Sequence, residues 1–516
     1  MSRTVHEMLD RLAQERPGAD GAVFPGERCT WGELAERSAR QARRLRACGV
    51  GPGACVGILI PGNIEHLEIL LGAMRLGAVP VPINARYKAS ELDYVVSHSK
   101  MALLLTAPSN AALVEQTGVS ACPVVVVGRD EEWEHADAPF VDIDDPEAPA
   151  VILYTSGTTS SPKGAVHTHA SLVAEGVNLA ERLCLGREDR FWSPLPMFHS
   201  GGIVTMLGSL ASGAAFCHVG TFEPGVALDQ LERERCTHAF PAFETIWLRV
   251  LDHPRFETAD LGALRIVINV GVRERMKAMQ ERLPGAAQVS CFGSTESCGF
   301  LCLGLASDPL EARLTTSGRN LPHMELRVVD LDTGQEAAPG VIGEALFRGQ
   351  SRFSHYHRDP EYTAQVIDAD GWFHTGDLIR RDEEGRVSFV GRLKDMLKVG
   401  GENVAAAEIE DFIAAHPAVK IVQVVAAPDA RYTEVAAAFV ELRPGATLTE
   451  RELIDFCLGK IATFKVPRYV RFVEEWPMSG TKIQKFRLRQ QIAAELEAAG
   501  ITEAPRLRAR APQETA

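Results

Sequence analysis

Residues 154–164 read YTSGTTSSPKG. Thr155, Ser156, Thr158, Thr159, Ser160 and Ser161 place six hydroxyls in one short segment. Gly157 and Gly164 let the backbone turn its N–H groups toward one point, and Lys163 adds a positive charge. Hydroxyls, free N–H groups and an ammonium on one loop surround a polyphosphate and stabilise pyrophosphate as it departs. The preceding run AVILYT is apolar, so the loop leaves the end of a strand.

Other strings offer chemistry and withdraw it on inspection. The phosphate loop of triphosphatases has Gly directly before its Lys and Ser or Thr directly after. Here Pro162 and Gly164 flank Lys163, so this is a different phosphate-binding solution. GVGPGA (49–54) fits a loose dinucleotide fingerprint, but the helical pattern precedes it and the strand pattern follows, the reverse of what that motif needs. His167 and His169 stand two apart without other ligand-spaced partners, and no GxSxG elbow occurs. The eleven cysteines are scattered singly, and Cys291, Cys298 and Cys302 fit no common zinc spacing. Reduced thiols of a cytosolic protein are the expectation.

The elements that must position the loop follow from the apolar pattern. Residues 31–48 read as an amphipathic helix, 55–62 as a buried strand, 64–78 as a helix and 79–84 as a short strand; strand-like runs recur at 101–106 and 123–128. That alternation predicts a parallel α/β sheet. From Met324 to Val390, alternating runs such as MELRVVD and GRVSFVG between turn signals predict antiparallel strands. After GRLKD (391–395) the texture is mixed, as in a separate small α+β domain, and residues 503–516 are expected to be disordered. A length of 516 residues with 46% hydrophobic composition suits roughly three folding units. The net charge of −14 argues against a nucleic-acid binder. No apolar stretch approaches the ~18 residues of a membrane span, and the N-terminus lacks a signal-peptide run, so a cytoplasmic location is expected.

Further strings, in one order along residues 8–495, complete a resemblance: WSPLPMFHSGG (192–202), CFGSTES (291–297), HTGD (374–377), GRLKD, KVGGENV (398–404), FKVPRY (464–469) and WPMSGTKIQKFRLR (476–489). With YTSGTTSSPKG they resemble the adenylate-forming superfamily of acyl- and aryl-CoA ligases, peptide-synthetase activating domains and beetle luciferases. The resemblance implies an α/β fold: a large N-terminal domain of parallel α/β subdomains with a small β-barrel-like region (1–392), then a small mobile α+β domain (393–516). It implies ATP, Mg²⁺ and coenzyme A acting on a small carboxylic acid. Nucleic acid and membrane are not expected partners, and a homodimer is a possible assembly.

Residue by residue, the resemblance makes Thr155, Ser156, Gly157, Thr158, Thr159 and Lys163 phosphate contacts. Phe292, Gly293 and Ser294 would meet the nucleotide, with Phe292 against adenine where relatives usually have Tyr. Thr295 would touch phosphate or carboxylate. Glu296, with Thr155, would hold Mg²⁺, a cation that prefers oxygen ligands. Asp377 would accept both ribose hydroxyls and Arg392 would be a second nucleotide contact. Lys394 would be the hinge, Gly400 and Gly401 the wall of the pantetheine tunnel, and Lys482 the lysine that reaches the reacting carboxylate and α-phosphate. His199 would lie near that carboxylate, and the acyl pocket would include His199, Gly202, Phe243, Gly271, Cys291 and Gly293, whose small residues leave room for a chain or ring.

Three departures stand out. Ser160 replaces the usual Gly, Val270-Gly271-Val272-Arg273 replaces Gly-Gly-Ala-Pro, and Gly480-Thr481-Lys482 is one residue short. The implied activity is therefore ATP-dependent acid–CoA ligation through an acyl-adenylate. Three alternatives stay open: an enzyme performing mainly the thioester half-reaction from a preformed adenylate, a ligase that loads a carrier protein or activates a non-standard acid or oxyanion, and a non-catalytic nucleotide-binding regulator.

Overall fold

The computed structural model describes residues 2–117, 122–155, 162–271, 273–400, 402–479 and 482–507. The chain divides into two compact units. The first comprises Met1–Arg327, Leu346–His374 and Asp382–Ser388; the second comprises Val328–Ala345, Thr375–Arg381 and Phe389–Ala516.

The first unit is α/β, as the alternation of patterns predicts. Its largest sheet runs Ala287–Val289, Ile266–Val270, His238–Phe243, Arg190–Ser193, Ala215–His218, Asp20–Phe24, Glu27–Thr30. All neighbours are parallel except the closing hairpin of Asp20–Phe24 with Glu27–Thr30. A second, fully parallel sheet orders Val79–Pro82, Cys55–Leu59, Leu103–Thr106 and Val124–Val126. Strands buried on both faces need continuous apolar runs, and Cys55–Leu59 and Leu103–Thr106 are buried throughout. Helix Trp31–Ala47 starts with a Thr30/Glu33 capping box. Helix Ile64–Leu76 starts on Asn63 and stops at Gly77, whose φ of 77° supplies the left-handed cap. The glycines of GVGPGA turn the chain between helix Trp31–Ala47 and strand Cys55–Leu59, with Gly49 and Gly53 at positive φ.

The predicted β region appears as strands Met324–Asp330, Ile342–Gly349, Phe373–Arg381 and Val387–Arg392, and the division between the units passes through it. The C-terminal part of the second unit is α+β. A long antiparallel hairpin, Val419–Asp429 with Thr433–Leu442, is joined by Tyr469–Phe472 and by the hairpin Met396–Val399/Glu402–Ala405. Ile409 and Ile413, from Ala406–Ala414, and Leu453, from Glu450–Cys457, enter its core. One expectation is corrected here. Residues 503–507 are not loose: the Ala504 amide donates to Asp429 at 2.5 Å, Arg468 donates to the Pro505 carbonyl at 2.9 Å, and Leu507 packs on the core. The rest of that predicted tail, 508–516, lies outside the described residues. No helix among the described residues is long and apolar enough to cross a membrane.

Candidate active site

The polyphosphate string sits on a hairpin. Strand Pro149–Thr155 pairs antiparallel with Lys163–Thr168, and Thr155 faces Lys163 across the last register position. A triphosphatase loop joins a strand to a helix; here the string connects two paired antiparallel strands instead, which agrees with the absence of its flanking residues. Ser156, Gly157, Thr158 and Thr159 lie outside the described residues, as does Ser160. Both stems are braced from helix Ala89–Ser99: Tyr94 donates to the Pro162 carbonyl at 3.1 Å, and His98 Nδ1 meets the Tyr154 hydroxyl at 2.8 Å. The Lys163 ammonium lies 4.4 Å from the centre of the Tyr362 ring, a cation–π distance.

The CFGSTES string forms the short strand Cys291–Phe292 and a single turn, Thr295–Ser297. Cys298 and Gly299 both have positive φ and bring the chain back so closely that a side chain at Gly293 would strike the Gly299 carbonyl. Phe292 is mostly buried, and burial pushes the Cys291 thiol up to about 12. The turn is anchored at its backbone. His167 Nε2–H donates to the Thr295 carbonyl at 2.8 Å, and the Phe353 amide donates to the Glu296 carbonyl at 2.8 Å. Burial pushes the His167 imidazole down to about 4, so the ring is neutral with Nε2 as its donor. At the side chain, the Tyr356 hydroxyl donates to Glu296 Oε1 at 2.6 Å. His167 and Lys163 share strand Lys163–Thr168, and Tyr356 pairs with Ala165 of that strand. Hairpin and turn are therefore one piece. Sequence reasoning missed His167, Tyr356 and Tyr362 as site residues; their partners lie up to 199 positions away, and no local spacing marks them.

Around the expected acyl pocket, His199 is exposed and occupies the N-cap position of helix Ser200–Ser212, without a capping bond from its side chain. Phe243 and Val270 end neighbouring parallel strands, pair in register, and keep 40% and 44% of their surface in solvent. Carboxyl ends of parallel strands are where α/β folds bind ligands. The expected room at the small residues is not found. A side chain at Gly202 would meet the Leu195 and Pro196 carbonyls at 2.8 and 2.7 Å, and one at Gly271 would meet Glu244 Oε2 at 2.5 Å. These glycines let protein atoms approach each other. The departure at 270–273 is also milder than its sequence suggests. Arg273 is spent on a bidentate pair with Glu311 at 2.8 and 2.9 Å on the surface, so its charge is neutralised there.

In the second unit, Asp377 is buried and its amide bonds to the Thr375 hydroxyl at 2.9 Å. Thr375 in turn donates to the Ala345 carbonyl at 2.7 Å, and the Gly376 amide donates to Glu344 at 3.0 Å. Arg392 Nε stands 2.6 Å from Asp377 Oδ1, an ion pair without an aligned N–H···O bond. Lys394 is exposed on the single turn Leu393–Asp395. Gly400, at φ 61°, begins the two-residue turn of the Met396–Val399/Glu402–Ala405 hairpin, a place where positive φ demands glycine. Gly401 lies outside the described residues. Lys482 begins strand Lys482–Ile483 and pairs with Ser479.

Comparison with known proteins agrees with these motifs. Residues 9–357 match the family described as AMP-binding enzyme, and residues 408–482 match the AMP-binding enzyme C-terminal domain. YngI of Bacillus subtilis (strain 168) is 35% identical over 95% of this chain and 97% of its own length. A feruloyl-CoA synthase of Amycolatopsis sp is 33% identical over 93% of this chain and 97% of its own. ATP-bound MatB from Rhodopseudomonas palustris shares the fold with a TM-score of 0.87 at 29% identity, covering 95% of this chain and 99% of that one.

Proposed function

The chain belongs to the AMP-binding enzyme family and is an AMP-forming acid–CoA ligase, and from that premise we propose which residues carry each half-reaction. The observation that supports the assignment best is the single braced piece formed by the Thr155/Lys163 hairpin and the Thr295–Glu296 turn. In the first half-reaction, a carboxylate oxygen of the acid attacks the α-phosphorus of ATP. An O–P bond forms, the bond to the β-phosphate bridge breaks, and pyrophosphate leaves. Thr155, Lys163 and the hydroxyls of 156–159 hold the departing charge. Lys482 neutralises charge shared by the carboxylate and the α-phosphate, a role worth about 3–4 kcal/mol for one well-placed donor. His199 and Thr295 orient the carboxylate, Phe292, Gly293 and Ser294 border adenine, and Asp377 with Arg392 binds the ribose.

The oxygen donors fit Mg²⁺: Glu296 presents a carboxylate held in place and Thr155 a hydroxyl. When bound there, Mg²⁺ supplies charge neutralisation to the phosphates. In the second half-reaction the sulfur of CoA attacks the acyl carbon of the mixed anhydride, the thioester forms and AMP leaves. Gly400 and Gly401 border the pantetheine path. In this reading the C-terminal domain, 393–516, pivots at Lys394 between the two half-reactions.

For the acid we favour an apolar or aryl tail, supported by the solvent-facing Phe243 and Val270. His199, Gly202, Gly271, Cys291 and Gly293 complete the pocket, with the glycines setting its shape through the atoms packed on them. A cytoplasmic location is supported by eleven free cysteines. A homodimer would show as a sedimentation mass twice the 56.1 kDa chain.

The assignment is tested by separating the half-reactions. Lys482→Ala loses ATP–pyrophosphate exchange but still makes thioester from supplied acyl-AMP and CoA. Equal loss of both removes Lys482 from its role. Wild-type protein that is active on acyl-AMP yet makes no adenylate establishes the thioester-only alternative.

A further inference from the structure

Glu296 carries the metal-binding role, yet a lone carboxylate on a one-turn element has several rotamers. What selects one is visible in the first unit. The Tyr356 hydroxyl donates to Glu296 Oε1 at 2.6 Å, the short distance of a hydrogen bond to a charged acceptor. Tyr356 itself cannot swing. It is buried, its ring packs 4.8 Å from Phe353 and 5.3 Å from Tyr362, and its amide donates to the Thr363 hydroxyl at 3.0 Å. The segment behind it is stiff as well: helix Pro360–Val366 has Pro at its first position and an Asp359 cap on the Tyr362 amide at 3.1 Å. At the other end of this aromatic pair, Tyr362 offers its ring face to Lys163.

We propose that Tyr356 is a positioning residue that fixes the Glu296 carboxylate for the cation, and that the Tyr356–Tyr362 pair couples this carboxylate to the phosphate-loop lysine Lys163. This rests on the assignment of Glu296 as the cation-binding carboxylate. The tyrosine occupies one lone pair of Oε1 and leaves Oε2 and the remaining lone pairs of the carboxylate to a hard cation. An outer partner of this kind orients a ligand that it does not replace. Lys163 and Glu296 carry opposite charges toward the same polyphosphate. A rigid aromatic bracket between them keeps each in register with the other.

The test uses the full chain and two readouts. Tyr356→Phe keeps the ring packing and deletes only the hydroxyl, so its melting temperature should stay within a few degrees of wild type. Binding of Mn²⁺, followed by its electron paramagnetic resonance signal in the presence of α,β-methylene-ATP, should weaken about tenfold, the scale of lost outer-sphere support. The free Mg²⁺ giving half-maximal ATP–pyrophosphate exchange should rise in parallel, while thioester formation from supplied acyl-AMP and CoA stays at the wild-type rate. Tyr362→Leu should raise the KM for ATP and leave Mn²⁺ affinity closer to wild type than Tyr356→Phe does. Unchanged Mn²⁺ affinity in Tyr356→Phe overturns the proposal, as does an equal loss in both half-reactions, which marks a merely structural role. If wild type shows no exchange with any acid, the adenylation assignment fails by itself, and Mn²⁺ affinity still decides on Tyr356. If wild type binds no Mn²⁺ with the nucleotide analogue, Glu296 loses its role and the proposal falls with it.

Discussion

Glu296 in the first unit is held from three directions by buried or backbone groups: Tyr356 on its carboxylate, Phe353 on its carbonyl and His167 on the carbonyl before it. Asp377 in the second unit is buried too, but its charge is met by Arg392, whose side chain is 41% exposed. Lys394 and Gly400, farther along the same unit, are exposed. The first arrangement is preorganised, with little left to move when charge develops. In the second, the carboxylate is met by a half-exposed guanidinium, a contact that can be remade. A ligase that builds an adenylate and then hands it to a thiol needs both: a fixed electrostatic frame for phosphate departure, and contacts that can be remade between steps.

Removing the fixed charge gives the largest effect. Glu296→Gln should lower ATP–pyrophosphate exchange by about 10²–10³-fold, as removal of one preorganised electrostatic group does. Thermal stability should hardly change, because the Phe353 and His167 bonds go to backbone. A loss below about fivefold would place the metal charge elsewhere. Asp377→Asn comes next. It removes a charged acceptor and should raise the KM for ATP by about 10–100-fold, with a smaller change in kcat. Equal KM for wild type and variant would show that the Arg392 pair, and not ribose, is what Asp377 serves. Gly400→Ala is milder. A side chain at φ 61° costs roughly 1–2 kcal/mol and would sit 3.2 Å from Tyr432 Cδ1. Thioester formation from acyl-AMP should slow by about tenfold or less while exchange is retained. Loss of exchange instead would tie that hairpin to adenylation.

The anchors of this comparison were legible because they are strings: YTSGTTSSPKG, CFGSTES, HTGD and GRLKD each keep their residues together. Helix Trp31–Ala47 and strand Cys55–Leu59 were legible from period and apolar run. The order of the seven-stranded sheet was not, since it is set by pairings such as Ala22 with Phe216 that no local pattern encodes. Glycines were read least well. Composition cannot tell whether a missing side chain admits ligand or backbone, and Gly202 and Gly293 admit backbone. Tyr356 escaped notice for the same reason: its hydroxyl matters only because folding brings it to a carboxylate 60 positions away.

The buried interior of the first unit carries a pH signature of its own. Glu175, on helix His169–Leu183, is fully buried, and neither carboxylate oxygen has an aligned hydrogen-bond partner. Burial pushes its carboxyl up to about 8, with the nearby Ser351 hydroxyl and Phe300 backbone offsetting part of the rise. The folded chain therefore keeps a proton that the unfolded chain, with a value near 4.5, releases. The contribution of Glu175 to stability must fall as pH rises between those values and level off above about 8. Buried His66, His167, His169 and His218, pushed down to about 4 from 6.5, act in the opposite sense, but only below their unfolded value. The interval from about 6.5 to 8 thus isolates Glu175 from them. Wild type should lose a few degrees of melting temperature across that interval, about what a shift of 1–2 kcal/mol produces in a chain of this size. Glu175→Gln, which stays neutral, should flatten the curve and leave exchange within about twofold of wild type, since Glu175 supplies no group to the proposed reaction. A wild-type curve already flat over that interval would mean that Glu175 is ionised in the fold, with partners that hold it so.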